Sequence, residues 1–370
     1  MNHLLQRLMA EATQLTRHGR LHEATQAIQR ALRGGAARGP GIGRPAAPPS
    51  APHAPWPAGE ALVLDGPEPV IDPDQAGTRG DERWIAGSVA HQGRTLAYKL
   101  YLPPAAAAAA PLLRPMVVML HGCTQDADDF AAGTRMNALA RDLGVVVLYP
   151  EQTPRANAQR CWNWFKPQHQ QRGRGEPAIL AALAQTIAAD HHVDAARVFV
   201  AGLSAGGAMA DIVGRCYPDV FAAVGVHSGL PSGAASDVGS ALAAMRNGRP
   251  AAPAVSGGPM PPTIVFHGDA DATVHVSNGA AIVEAARNAN GKTAGKPSAR
   301  VAEGRSSGGQ RYTRTVYTDE AGRSTTEYWQ LHGAGHAWSG GSAEGSYTDP
   351  AGVDASAEML RFFLAHRRNP

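Results

Sequence analysis

The feature that most restricts the fold is a succession of short, continuously apolar, Val-rich runs, each separated from the next by a stretch with helical periodicity. The runs are Met116–Leu120, Val145–Tyr149, Val198–Ala201, Ala222–Val226 and Thr263–Phe266; helical patterns lie around 127–142, 177–190, 207–216 and 237–247. A strand with one wet face alternates apolar and polar residues, whereas a run that is apolar throughout needs cover on both faces. Helices between such strands provide that cover and carry the chain back for the next parallel strand. The pattern predicts an α/β fold: a mostly parallel central sheet with helices on both faces. Arg94–Leu102 alternates like a further strand, and the Ala run after Pro104 reads as a connection. Arg249–Pro262, rich in Pro and Gly, reads as a surface loop. A strand near Thr325–Leu331 and a helix near Asp354–His366 close the domain.

The α/β domain is assigned to residues 84–370. Ahead of it, residues 2–33 carry Leu4, Leu8, Leu15, Leu21, Ala24, Ile28 and Leu32 against Arg and Gln, so 1–33 reads as an N-terminal helical segment, docked on the domain or on a second copy, or adsorbing to a surface. Pro, Gly and Ala dominate 34–83, a linker with the composition of disorder. The formal charge is +3 and no Lys/Arg block is interleaved with aromatics, which argues against nucleic acid. Glu11 interrupts the early apolar run Leu8-Met9-Ala10, so no signal peptide is expected. No stretch reaches the roughly 20 apolar residues of a membrane span. A cytoplasmic protein is the resulting expectation. Of the cysteines, Cys123, Cys161 and Cys216, none forms a CxxC, so no metal site is expected. Cys123 and Cys161 both follow strand candidates and can meet at the carboxyl edge of the sheet, as a disulfide or, in the cytosol, as thiols. Cys216 reads as a buried free thiol.

Gly202-Leu203-Ser204-Ala205-Gly206 matches G-x-S-x-G. The match is weak in a Gly-rich chain, but its context is specific: an apolar strand runs into it and a helical pattern follows, as in the nucleophile elbow of the α/β-hydrolase fold. Ser204 is the candidate nucleophile, and an incidental serine in a tight turn is the bland alternative. His121-Gly122-Cys123 follows the strand Met116–Leu120, where such folds place one oxyanion donor; the donors expected are the backbone N–H groups of Cys123 and Ala205. The His121 side chain reads as structural. Asp271, on the turn after Thr263–Phe266, is the candidate acid, with Asp269 its competitor. His336, in the Gly-rich loop after the last strand, is the candidate base, with His332 the fallback. The chain order Ser, Asp, His is the one this fold imposes.

Five motifs in this order, Leu120-His-Gly-Cys-Thr-Gln125, Cys161-Trp-Asn-Trp-Phe165, Gly202-Leu-Ser-Ala-Gly-Gly-Ala208, Phe266-His-Gly-Asp-Ala-Asp271 and Gly335-His-Ala-Trp-Ser-Gly-Gly341, resemble the poly(3-hydroxybutyrate) depolymerase family of esterases, over roughly residues 85–365. The order, with the oxyanion segment ahead of the serine, resembles the type 1 catalytic domain. The resemblance implies serine-catalysed hydrolysis of short-chain hydroxyalkanoate polyesters or oligomers, with no cofactor. Trp162, Trp164 and Trp338 are then candidates for lining an apolar cleft, with core packing as the alternative reading. Secreted members usually carry a signal peptide and a C-terminal polymer-binding module. Neither is expected here, which points to an intracellular member acting on amorphous polymer, associated with a storage-granule surface, with secretion as the alternative. A feruloyl or acetyl-xylan esterase is the runner-up, and a granule-surface binding protein without catalysis the non-enzyme alternative. Nothing in the sequence indicates the oligomeric state.

Overall fold

The computed structural model describes residues 82–104, 113–248, 260–290 and 298–368. The helical segment expected at 1–33, nearly all of the 34–83 linker, the Ala run and most of the 249–262 loop lie outside the described residues. The strands are β1 (Arg83–His91), β2 (Arg94–Leu102), β3 (Arg114–Leu120), β4 (Val146–Glu151), β5 (Val193–Leu203), β6 (Ala223–His227), β7 (Thr263–Gly268), β8 (Ser298–Arg305), β9 (Arg311–Thr318), β10 (Ser324–Leu331), β11 (Trp338–Ser339) and β12 (Thr348–Asp349). The helices are α1 (Ala127–Thr134), α2 (Met136–Leu143), α3 (Gly175–Asp190), α4 (Ala205–Cys216), α5 (Val238–Asn247), α6 (Ser277–Asn290) and α7 (Ala355–Leu364).

A 10-stranded sheet runs in the order β1-β2-β4-β3-β5-β6-β7-β10-β9-β8. From β4 to β10 every neighbour is parallel, and the flanking strands are antiparallel. The apolar runs sit in this parallel centre because both their faces are covered. Along β3, Met116, Val118 and Leu120 join one core cluster while Val117 and Met119 join the other. Along β5, Val200 faces the first cluster and Phe199 and Ala201 the second. Ile179, Met209 and Ile282, from α3, α4 and α6, close the first face; Phe130, Ala140 and Phe363, from α1, α2 and α7, close the second. The two-residue period of a strand thus feeds two separate cores.

The stretch expected as one helix over 127–142 is two. Arg135 breaks it with a left-handed backbone (φ 53), capping α1 through its N–H to Ala131 O. Helix α6 and the antiparallel strands β1, β8 and β9 were not expected. The strand β8 carries Arg300, Glu303 and Arg305 and is exposed along nearly all its length, so no alternating pattern marks it.

Parallel strands end at the same edge, and there the β5–α4 turn is packed to backbone contact. A Cβ on Gly206 would lie 2.0 Å from Leu120 O and 2.5 Å from His121 O, and one on Gly202 would lie 2.4 Å from the Gly206 backbone. Neither obstacle is a side chain that can swing away. Gly206→Ala is therefore expected to destabilise the protein by about 2–3 kcal/mol or more. Gly335→Ala, whose Cβ would meet nothing, should stay within about 0.5 kcal/mol of the parent. Urea unfolding of the two variants measures the contrast.

Candidate active site

Ser204 stands between β5 and α4 with φ 58 and ψ −119, a backbone that serine adopts only when its surroundings impose it. The imposing contacts are the glycine approaches above and a hydrogen bond from Ser204 N–H to His227 O (2.9 Å). The oxyanion segment lies alongside, since a Cβ on Gly122 would be 3.7 Å from Ser204 Cβ. The N–H groups of Gly122, Thr124 and Ser204 are all engaged, whereas those of Cys123 and Ala205 have no acceptor among the described residues. The two donors expected from sequence are thus the two left free, with Ala205 opening α4 where the helix dipole favours negative charge.

The candidate acid and base follow the ends of β7 and β10. Asp271 follows β7, its carboxylate buried; Oδ1 accepts from Thr273 N (2.9 Å) and Val274 N (2.8 Å), which leaves Oδ2 for His336 Nδ1 at 2.7 Å. Burial alone would raise the Asp271 pKa, but the His336 bond and charge and the Val274 N–H outweigh it, and the pKa lies below the usual carboxylate value. With Nδ1 donating to Asp271, His336 keeps a lone pair on Nε2, the tautomer a general base needs. Ser204 Oγ makes no hydrogen bond among the described residues, so the Asp271–His336 half of the relay is closed and the His336–Ser204 half is open. Such contacts commonly tighten only when substrate is bound.

The competitors pair with each other. Asp269 accepts from His332 Nδ1 (2.9 Å) and Gly333 N (2.6 Å), and His332 Nε2 meets Thr313 Oγ1 at 2.8 Å. This second dyad ties the acid turn to the base loop.

His227 was missed by the sequence reading, although its place at the carboxyl end of a parallel strand is where such folds collect site residues. Its carbonyl holds Ser204 N–H, and its ring Nε2 accepts from Ser339 N (3.1 Å), three residues past the base. The proton on Nδ1 then goes to Ser228 Oγ (3.2 Å). The ring stacks on Trp338 (5.2 Å) and Phe266 (5.8 Å). His121 plays a similar part for the oxyanion segment. Its Nδ1–H donates to Gly122 O (2.7 Å) and its Nε2 accepts from Gln152 N (3.1 Å), so the peptide carrying Cys123 N–H has its carbonyl pinned. Cys123 is further tied by a disulfide to Cys161. Glu176, buried, accepts from Asn163 N and Nδ2 and from Gln152 Nε2, holding the segment after Cys161.

The cleft assignment of the tryptophans is overturned. Trp162 is 0 %, Trp338 1 % and Trp164 5 % exposed, so all three are interior side chains. Trp162 packs near His121 (5.6 Å), Trp164 edge-on against Phe165 (5.7 Å), and Trp338 edge-on against Phe130 (5.5 Å) with its Nε1 donating to Ser356 Oγ. Which side of a loop faces inward is set by neighbours from distant strands, so a large ring near the candidate base, such as Trp338, does not by itself mark a cleft. Cys216 is free but only half-buried, with its thiol pushed up to about 11 by burial. Among the described residues no group of three or more His, Cys, Asp or Glu is placed to hold a metal ion, and no helix is long and apolar enough to cross a membrane.

Two buried rings make stability depend on pH. Burial pushes His121 down to about 4, against the opposing bond to Gly122 O. Burial, with His267 and His336 nearby, pushes His227 down to about 3. In the unfolded chain both return to about 6.5, so below that value the unfolded state holds more protons and stability is lost on acidification. Thermal melts should show Tm falling steadily from about pH 6.5 towards about pH 4, and His227→Gln should flatten the slope; a level Tm across that window contradicts neutral buried rings. His227→Phe, which keeps the stack but not the acceptor, should slow labelling of Ser204 by an organophosphonate about 10-fold or more, while His227→Gln stays within about threefold.

Residues 96–308 match the family model described as Esterase PHB depolymerase. Poly(3-hydroxyalkanoate) depolymerase C of Paucimonas lemoignei is 36% identical over 192 residues, covering 49% of this chain and 46% of that protein. Feruloyl esterase B of Thermothelomyces thermophilus is 34% identical over 128 residues, covering 34% of this chain and 43% of that protein. The chain spans less than half the length of these two curated relatives. Among solved structures, an acetyl xylan esterase from Aspergillus awamori superposes with a TM-score of 0.58 at 18% identity, covering 77% of this chain and 100% of that one, a likeness of fold.

Proposed function

This chain belongs to the Esterase PHB depolymerase family, and from that premise we propose that it is a serine esterase hydrolysing poly(3-hydroxybutyrate) or related short-chain hydroxyalkanoate polyesters and oligomers. The observation that carries the reading is the strained Ser204 turn facing two free N–H groups, at the sheet edge where Asp271 holds His336 at 2.7 Å.

Each step has its residue. Ser204 Oγ attacks the ester carbonyl carbon while His336 Nε2 takes the hydroxyl proton. Asp271 accepts from Nδ1–H and stabilises the imidazolium. The carbonyl oxygen, now negative, receives the Cys123 and Ala205 N–H groups. Collapse breaks the bond to the leaving alkoxide, which departs as alcohol with the proton from His336. Water, deprotonated by His336, then cleaves the acyl-enzyme and restores Ser204. The feruloyl esterase likeness supports a second reading, in which an aryl ester takes the polyester's place.

The Cys123–Cys161 disulfide supports an oxidising compartment, and so secretion, the alternative reading, over the expected cytoplasmic location.

The test is product release from amorphous poly(3-hydroxybutyrate), set against methyl ferulate and acetylated xylan. The polyester should be the preferred substrate, and Ser204→Ala should lose at least about 1000-fold in rate, because nucleophile and base act as a unit. A Ser204→Ala protein of near-parental rate rules out this mechanism; preference for methyl ferulate or acetylated xylan selects the runner-up.

A further inference from the structure

With the tryptophans in the interior, Tyr347 is an exposed aromatic residue joined to the oxyanion loop. The residue is 48 % exposed. Its carbonyl accepts from Trp338 N (2.7 Å), two residues from His336, and its phenol oxygen lies 3.2 Å from Thr124 Oγ1, one residue past Cys123. One residue therefore spans from the base loop to the oxyanion loop.

We propose that Tyr347 walls a subsite beside the oxyanion hole and contacts the repeat unit next to the scissile ester of an aliphatic polyester; this rests on the polyester reading above. Proton accounting gives the phenol its role. Thr124 Oγ1 donates its one proton to Cys123 O, so between the two hydroxyls it is Tyr347 that donates. An internal polyester unit offers carbonyl and ester oxygens and no donor. The phenol proton is the partner such a unit needs, and it becomes available when Tyr347 exchanges Thr124 for the ester. The ring face alongside suits the unit's methyl and methylene groups.

The backbone supports a functional placement. Thr124 (φ 67) and Tyr347 (φ 52) are both left-handed, costly for a β-branched and for an aromatic residue, and they meet each other. The neighbouring residue is held from beneath: Ser346 N and Oγ donate to Asp129, and Gln125 Nε2 donates to Ser346 O. Glycines 133 and 345 pack backbone to backbone, a Cβ on Gly345 falling 2.4 Å from Gly133. A loop fastened so firmly, yet presenting a large ring to solvent, is built to offer that ring.

The test compares methyl 3-hydroxybutyrate, which has no neighbouring unit, with the linear 3-hydroxybutyrate trimer, using the full chain and its Tyr347→Ala and Tyr347→Phe variants. Tyr347→Ala should lower kcat/KM about threefold for the methyl ester, through a looser oxyanion loop, and about 30-fold for the trimer, mostly in KM. Tyr347→Phe should keep the ring's share and lose about threefold on the trimer alone. Equal losses on both substrates, or none on either, in an enzyme that cleaves the trimer overturn the subsite and leave the polyester reading standing. A parent protein active on the methyl ester but inert on the trimer overturns the polyester reading and the subsite with it.

Discussion

Ser204 donates its amide to the carbonyl of His227, and the ring of the same histidine accepts the amide of Ser339. Ser204 and His336 lie 132 positions apart in the chain, and this residue at the end of β6 touches the turn of one and the loop of the other. Its ring serves because burial keeps it uncharged, leaving Nε2 a lone pair to accept with. A protonated ring would have two donors and no acceptor, and the Ser339 amide would lose its partner. The stack on Trp338 and Phe266 fixes the ring's plane, so the hydrogen bond has a direction as well as a partner. Much of the apolar packing at this edge thus acts at one remove on how Ser204 and the His336 loop are placed.

The oxyanion segment is controlled in the same manner, by pinning what surrounds the donor. His121 holds the carbonyl of the peptide to which Cys123 N–H belongs, and because carbonyl and N–H of a trans peptide point opposite ways, fixing one aims the other. Thr124 holds the next carbonyl, and the disulfide holds the side chain. The N–H itself is left with no acceptor. Preorganised but unsatisfied donors are what stabilise a charge that exists only in the transition state. Left-handed backbones at Thr124, Ser204, Ser228 and Tyr347 cluster around this same edge, where a packed sheet and its fastened loops can sustain them.

Much of the fold was legible because burial on two faces leaves a direct mark: Met116–Leu120 and Ile264–Phe266 are apolar throughout, since each successive side chain enters a different core. The partly exposed elements left no such mark. The strand β8 bears charges along its length, and α6 reads as a mixed stretch whose helix depends on packing against β7 and β10. The split between α1 and α2 was equally hidden, because the left-handed Arg135 is an ordinary residue by composition.

The sequence by itself determined the sheet type and the strand-to-helix turn that holds Ser204, since these follow from periodicity and from where the glycines fall. It also left Asp271 and Asp269, and His336 and His332, in competition. Only the tertiary structure decided the pairing, by closing Asp271 on His336 and Asp269 on His332. It moved Trp162, Trp164 and Trp338 into the interior, set His227 between the Ser204 turn and Ser339, and joined Tyr347 to Thr124. The physical reason is common to all of these: which side of a loop faces the core depends on neighbours supplied from distant strands, and local sequence holds no record of them.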